Sequence, residues 1–361
     1  TNLISSGSTA AMTFSNVAAI ADVEIKGVAG ATNTTVDYAA TAVAGTADAQ
    51  SLTLSGNTSM GAISVGDAGA GIETLNVAGS GTNVGTSLTS GATNVAITGA
   101  GSLKLTTAVV GKIDASAATG KMTLTTAADT DTITMGSAAD VLTLSDANNV
   151  TMEATVSMGA GDDSLVLTSI NGVADLVDSK VTLDGGAGND SFTLTPTTKL
   201  VAIGGAGNDT FTTGSVIDAV IIGGDGTADK ITLDAARDLS AQTHFAMSGI
   251  EQIDLTAGNL TIDETQFAGD NTFAITADGD TFRVDVDTAT GGTIDASGVT
   301  IATSSTAVLT YSGSAGTDAL TGGVAAETFL MTAGADTIEG GATGADTLTL
   351  TATNTDVDGT A

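Results

Sequence analysis

The chain has no cysteine and no tryptophan, one proline at Pro196, and only 3% aromatic residues. Without cysteine, neither disulfides nor thiolate metal sites can form, and folding does not depend on redox state. With so few aromatics, any core must be built from thin, regular layers of small and β-branched side chains, which suits strands better than helices. Basic residues are equally scarce: nine Lys and Arg stand against 41 Asp and Glu, a formal net charge of −32. Lys26, Lys104, Lys112, Lys121, Lys180, Lys199, Lys230, Arg237 and Arg283 are scattered singly. That leaves no basic cluster for nucleic acid or anionic lipid, so neither is expected as a partner. Every apolar run is broken by Thr, Ser, Gly or Asn, well short of the ~20 residues of a spanning helix, and no membrane insertion is expected. Thr1 is not followed by the basic and apolar regions of a secretory signal, and the abrupt start and stop read as those of a piece of a longer protein.

Catalytic material is also thin. His244 is the only histidine, and with no cysteine the usual nucleophile–base pairs have almost nothing to work with. The nearest approach to a nucleophile elbow, "GTSLT" at 85–89, lacks the final glycine. The expectation is a protein that is not an enzyme.

Glycine is plentiful, at 47 residues, and it is ordered. "GGAGNDSFT" at Gly185–Thr193 returns as "GGAGNDTFT" at Gly204–Thr212. Aligned on an acid followed two places later by a large apolar residue, the C-terminal end reads Asp318/Leu320, Glu327/Phe329, Asp336/Ile338 and Asp346/Leu348, in steps of 9, 9 and 10. Asp131/Ile133 and Asp140/Leu142 are again nine apart, whereas Asp190/Phe192, Asp209/Phe211 and Asp229/Ile231 step by 19 and 20. Lys199 stands nine after Asp190 where a carboxylate would otherwise fall, so one side of the stack keeps its motif and the other has lost most of it.

Nine residues per turn-plus-strand and two such units per coil predict an all-β chain, a parallel β-solenoid or β-roll of ~18 residues per coil. The glycines serve tight turns that need positive φ and close backbone approach. The large residue after each acid points inward. Four stretches follow: 1–90, β-rich with longer spacing; 91–233, solenoid with metal turns; 234–312, strands with few motif turns; and 313–361, a second motif stretch. The 27-residue step from Asp163 to Asp190 predicts an insertion near "SINGVADLVDSK".

Calcium takes six to eight oxygens from carboxylates and backbone carbonyls, and a glycine turn ending in aspartate offers both. The pattern GGxGxDx(apolar)x is a calcium-binding nonapeptide repeat, and two stacked copies make one site. The candidate ligands are Asp163, Gly185, Ala187, Asn189, Asp190, Gly204, Gly205, Ala206, Gly207, Asn208, Asp209, Gly223, Asp225, Asp229, Asp318, Glu327, Asp336 and Asp346. Asp131 and Asp140 read equally as turn caps and as ligands. Asn354, Asp356 and Asp358 resemble the start of an acidic calcium loop, and His244 reads as a lone surface or packed histidine.

These residues resemble the RTX family of calcium-binding secreted proteins, and within it the S-layer proteins of Gram-negative bacteria such as Caulobacter and Campylobacter. The nonapeptide is complete at Gly185–Thr193 and Gly204–Thr212 and nearly so at Met158–Val166 and Gly313–Thr321. It carries a one-residue insertion at Gly223–Ile231 and Gly340–Leu348, and is degenerate at Gly322–Leu330. The S-layer resemblance rests on the Thr/Ala/Gly-rich composition and on two paired strings: "GIETLNV" at 71–77 with "GIEQIDL" at 249–255, and "KIDASA" at 112–117 with "TIDASG" at 293–298. It implies type I export, with any C-terminal signal beyond Ala361, folding on calcium outside the cell, and self-assembly into a lattice at the bacterial surface. Anchoring to cell-surface polysaccharide or lipopolysaccharide would use a region outside this chain. The alternatives are a calcium-dependent RTX adhesin and an RTX-containing region of a secreted polysaccharide-acting enzyme; the second would need clustered Lys and Arg for an acidic substrate.

Overall fold

In the computed structural model the described residues are 2–66, 71–106, 112–127, 132–146, 153–170, 180–194, 199–214, 218–242, 244–256, 258–267, 272–287, 290–350 and 356–360. The chain is all-β, 58% strand and about 1% helix, and its parallel sheets stack as a β-solenoid of about 14 turns. It divides into two compact units, Thr1–Phe192 and Thr193–Ala361.

In the first unit one long sheet runs through Asn2–Ser6, Asp22–Lys26, Ala49–Ser55, Thr74–Ser80, Asn94–Gly99, Lys112–Ala118, Thr132–Thr134, Glu153–Ser157 and Lys180–Ala187, each parallel to the last. Its partner face changes along the stack. The early coils use Met12–Val17, Thr32–Tyr38, Met60–Val65 and Ser87–Ser90; later ones use Thr82–Gly85, Ser102–Leu105, Met122–Ala127, Val141–Asp146 and Ser164–Ile170. The exchange falls in the coil from Thr74 to Ser90, which contributes a strand to all three sheets. Alternation puts every second side chain inside, and the parallel register stacks like on like: Val23, Leu52, Val77 and Ile97 form one buried column, and Leu124, Leu142 and Leu165 another. Burial of such columns, at roughly 25 cal/mol per Å² of apolar surface, is the main force closing the coils.

The second unit opens two-sided, with Lys199–Ala206, Asp218–Asp225 and Ala246–Ser248 facing Thr210–Thr213, Lys230–Leu233, Gln252–Leu255, Ala274–Ala277 and Thr300–Ile301. A third sheet then starts at Arg237–Asp238 and continues through Leu260–Asp263, Thr281–Asp285, Val308–Ser312, Glu327–Met331 and Thr347–Leu350. A fourth runs Thr293–Asp295, Ala319–Thr321, Ala335–Glu339 and Asp356–Thr360. Three-sided coils enclose more volume and need larger side chains: here Phe267, Phe273 and Phe282 pack together with ring centroids 5.5–6.3 Å apart.

Four expectations are corrected. The eighteen-residue coil occurs at Asn94↔Lys112 and Thr123↔Val141, but the register step reaches 29 at Val23↔Leu52, because three-sided or looped coils need more chain. The first glycines of the motif belong to strands, not turns: Gly205 pairs with Gly224 and Ala206 with Asp225. Leu348 does not point into a core but is 45% exposed, on a strand all of whose residues face solvent. Moreover, Asp356–Thr360 is a strand laddered onto Ala335–Glu339, not a calcium loop, and Asn354 lies outside the described residues. Asp131 and most of the expected insertion, 171–179, also lie outside them.

Candidate metal centre

Within each unit the acids form ladders along edges of the stacked coils. In the first unit Asp140, Asp163 and Asp190 each precede a strand of the same face and are buried. Each carboxylate accepts the backbone N–H of the equivalent residue one coil earlier: Met122 N donates to Asp140 Oδ1 at 2.7 Å, Asp140 N to Asp163 Oδ1 at 2.6 Å, and Asp163 N to Asp190 Oδ1 at 2.8 Å. The second oxygen of Asp140 accepts from Gly136 N at 3.2 Å, whereas Asp163 Oδ2 is buried without a hydrogen-bond partner.

The glycines bring the coils close enough for this. Gly186 and Gly188 have φ of 94° and 133°, values that disfavour any side chain. A Cβ on either would also collide with a carbonyl of the previous coil, that of Gly159 or Gly161. The turns are tied to one another by backbone bonds, Ala187 N to Gly159 O at 3.0 Å and Gly161 N to Ala187 O at 2.7 Å.

In the second unit Asp209 N donates to Asp229 Oδ1 at 2.7 Å, and Asp229 N to Glu251 Oε2 at 2.8 Å. The first glycine of each motif faces a small cluster of oxygens. A Cβ on Gly204 would meet Asp209 Oδ2 and the Gly223 carbonyl; one on Gly223 would meet Asp229 Oδ2, at 2.7 Å, and the Gly249 carbonyl. On Gly322 it would stand 3.0 Å from Glu327 Oε2 and 2.9 Å from the Gly340 carbonyl. One carboxylate oxygen and one carbonyl of the next coil thus converge at each layer, and the oxygens of Asp229 and Glu327 in these clusters are buried without a hydrogen-bond partner. Toward the C-terminus the acids split between two edges. Gly292 N donates to Asp318 Oδ1 at 2.9 Å and Asp318 N to Asp336 Oδ1 at 3.1 Å, before one sheet; Glu327 N donates to Asp346 Oδ1 at 3.1 Å, before the other. That alternation is why consecutive motifs there are nine, not eighteen, residues apart.

Electrostatics follow from burial. Asp163 is pushed up to about 7, first by desolvation and then, against the Asp140 N–H bond, by the charges of Asp190, Asp140 and Asp162. Glu327 also rises to about 7, from burial and then its contact with Asp346, and burial raises Asp140 as well. Ionised carboxylates stacked in such a place call for a compensating cation.

The expected ligands are therefore not equivalent. Asp163, Asp190, Asp209, Asp229, Asp318, Glu327 and Asp336 are buried on the ladders, and Gly185, Gly204 and Gly223 are buried beside them. Ala187, Ala206, Asn189, Asn208, Asp225 and Asp346 are exposed, so side-chain ligation from the asparagines is replaced by turn-to-turn bonding: Asn208 Oδ1 accepts from Thr227 N at 3.1 Å. Gly205 lies in the ladder and Gly207 N donates to Asp225 O at 2.9 Å. His244 is exposed. Among the described residues no three acidic or histidine side chains converge, so a bound ion would draw chiefly on backbone carbonyls, consistent with a hard, oxygen-seeking cation.

Sequence reasoning missed Gly249, Glu251 and a neutral ladder in the early coils. Asn57 Oδ1 accepts from Val28 N at 2.9 Å, Asn57 Nδ2 donates to Ile25 O at 2.8 Å and to Asn83 Oδ1 at 3.0 Å, and Asn83 Nδ2 donates to Ser80 O at 3.0 Å. Both amides are buried and satisfied, and neither sits in a recognisable motif. A groove of about 440 Å³ on the outer face of the long sheet is lined by Asn2, Asp22, Glu24, Ser51, Thr53 and Asn76 among others, and offers an anionic polysaccharide no counter-charge. Comparison with protein families, with curated proteins and with solved structures returns no match.

Proposed function

We propose that the chain is a structural subunit of RTX type from a bacterial surface layer, folded by calcium outside the cell and assembling with copies of itself into a sheet. The observation that supports the calcium reading is the set of buried carboxylate oxygens without hydrogen-bond partners on Asp163, Asp229 and Glu327. Each of these acids has committed one oxygen to its ladder or its own turn, which leaves the other, with carbonyls of successive glycine turns, to hold an ion. A bound divalent cation would supply the positive charge that keeps Asp163 and Glu327, which burial pushes up to about 7, ionised at neutral pH.

The residues would then make folding a sensor of location. At submicromolar calcium the stacked acids repel and destabilise the coils that carry them; at a hundredfold excess over the dissociation constant each ion stabilises the folded state by about 2.7 kcal/mol. The net charge of −32 opposes association of copies until cations neutralise it, which supports assembly after export rather than before.

The test follows far-UV circular dichroism and particle size together while calcium is added to EGTA-treated protein. Cooperative gain of β signal near millimolar calcium, followed by large ordered particles, is the expected result. A β signal with a persistent monomer would replace the surface layer by the adhesin alternative; a β signal indifferent to calcium would overturn the reading.

A further inference from the structure

The clearest repetition outside the nonapeptides is a pair of words. Gly45-Thr46-Ala47-Asp48 and Gly226-Thr227-Ala228-Asp229 are identical, and one coil later each is followed by Gly-Ile-Glu, at Gly71–Glu73 and Gly249–Glu251. The structure builds both pairs alike. Asp48 N donates to Glu73 Oε2 at 2.6 Å in the first unit, and Asp229 N to Glu251 Oε2 at 2.8 Å in the second. A Cβ on Gly45 would stand 2.7 and 2.8 Å from the Asp48 carboxylate oxygens, and one on Gly226 2.7 and 2.9 Å from those of Asp229. The first copy lies where no nonapeptide occurs, so the aspartate–glutamate bond is a property of the module and not a by-product of the motif ladder.

In the second copy the module stands at the end of that ladder. The amide of Asp209 is taken by the aspartate of the next coil, at 2.7 Å, but the amide of Asp229 is taken by a glutamate from a coil without the glycine nonapeptide. That coil nevertheless repeats the oxygen cluster: the Gly249 carbonyl lies beside Gly223 and Asp229 Oδ2 as the Gly223 carbonyl lies beside Gly204 and Asp209 Oδ2. Asp229 is fully buried, and its Oδ2 has no hydrogen-bond partner.

We infer that the Gly-Ile-Glu coil completes the last divalent-cation site of this ladder, with the Gly249 carbonyl as a ligand beside Asp229 and Glu251 as a positioning residue that holds the Asp229 coil in register. The inference rests on the calcium reading above and adds a residue class that the nonapeptide pattern does not contain. Glutamate suits the role because its extra methylene lets it reach the Asp229 amide from the irregular Gly-Ile-Glu connection, which opens on Gly249 at a φ of 62°.

The experiment counts calcium bound to the full chain by equilibrium dialysis for the unsubstituted protein, Glu251→Ala, Glu251→Gln, Asp229→Asn and the double variant Glu251→Ala/Asp229→Asn. Glu251→Ala is expected to lose one ion, or to hold it at least tenfold more weakly. Glu251→Gln, which still accepts the amide bond, is expected to keep it, and the double variant to lose the same single ion as Asp229→Asn. Undiminished binding by Glu251→Ala, or loss of two ions in the double variant, would overturn the inference, and equal loss in Glu251→Gln would overturn the positioning role. Should Glu251→Ala fail to fold, amide exchange on the unsubstituted chain decides: residues 249–251 and the Asp229 amide should slow at least tenfold with calcium, and unchanged exchange there sinks the inference. A protein that binds no calcium at all refutes the reading beneath it instead.

Discussion

Replacing Asp163 with asparagine should flatten the pH dependence of the calcium-free fold. Burial and the neighbouring acids hold the Asp163 carboxyl up at about 7 in the folded state, against roughly 4 in an unfolded chain. A carboxyl raised by folding contributes its stability fully below the unfolded value and loses it as pH climbs through the folded one. Three pH units correspond to roughly 4 kcal/mol, a ceiling because Asp140 and Asp190 share the repulsion. For a unit of this size each kcal/mol moves the melting temperature by about 2–4 °C, so the calcium-free protein should melt as much as ~10 °C lower at pH 8 than at pH 5. Asparagine keeps an oxygen for the Asp140 N–H and removes the charge, so Asp163→Asn should lose most of that slope. It should also lose part of the gain that millimolar calcium gives the unsubstituted chain at pH 8. Thermal unfolding followed by circular dichroism in EGTA between pH 4.5 and 8.5 measures both. The background slope from the large net negative charge is common to the two proteins, so identical slopes would refute the assignment of this carboxyl to a cation-seeking ladder.

Gly186→Ala should destabilise the first unit by at least about 2 kcal/mol, measured by urea unfolding, because it meets positive φ and a backbone collision together; a loss within about 0.5 kcal/mol would show that the turns can separate freely. Asn57→Ala should cost about 1–3 kcal/mol equally with and without calcium, since it strands Val28 N and Ile25 O rather than a carboxylate. In EGTA, hydrogen exchange should be slowest around Asn57 and Asn83, whose neutral amides bond the backbone of neighbouring coils, and uniform exchange along the chain would contradict that.

Much of this was legible in the sequence, and the reason is that a repeat is a local statement. The alternation in "DSFTL" and "DTLTL" marks strands with one buried face, the spacing of Asp140, Asp163, Asp190, Asp209 and Asp229 places them at equivalent points of successive coils, and the scarcity of aromatics limits the interior to single layers. Asn57 and Asn83 were not legible because nothing in their surroundings repeats. Glu73 and Glu251 were visible as part of paired strings, but not as acceptors, because the amides they cap are 25 and 22 residues away.

By itself, then, the sequence determined the class of fold, the nine-residue beat and the row of acids, since each depends only on residues close in the chain. The tertiary structure alone decided how long each coil is, which face pairs with which, that one oxygen of each ladder acid goes to a neighbouring backbone amide, and that the Gly249 carbonyl stands beside Asp229 Oδ2. Those features arise where one coil closes against the next, across separations of 18 to 29 residues, and a contact at that distance is set by the path of the whole coil rather than by any motif within it.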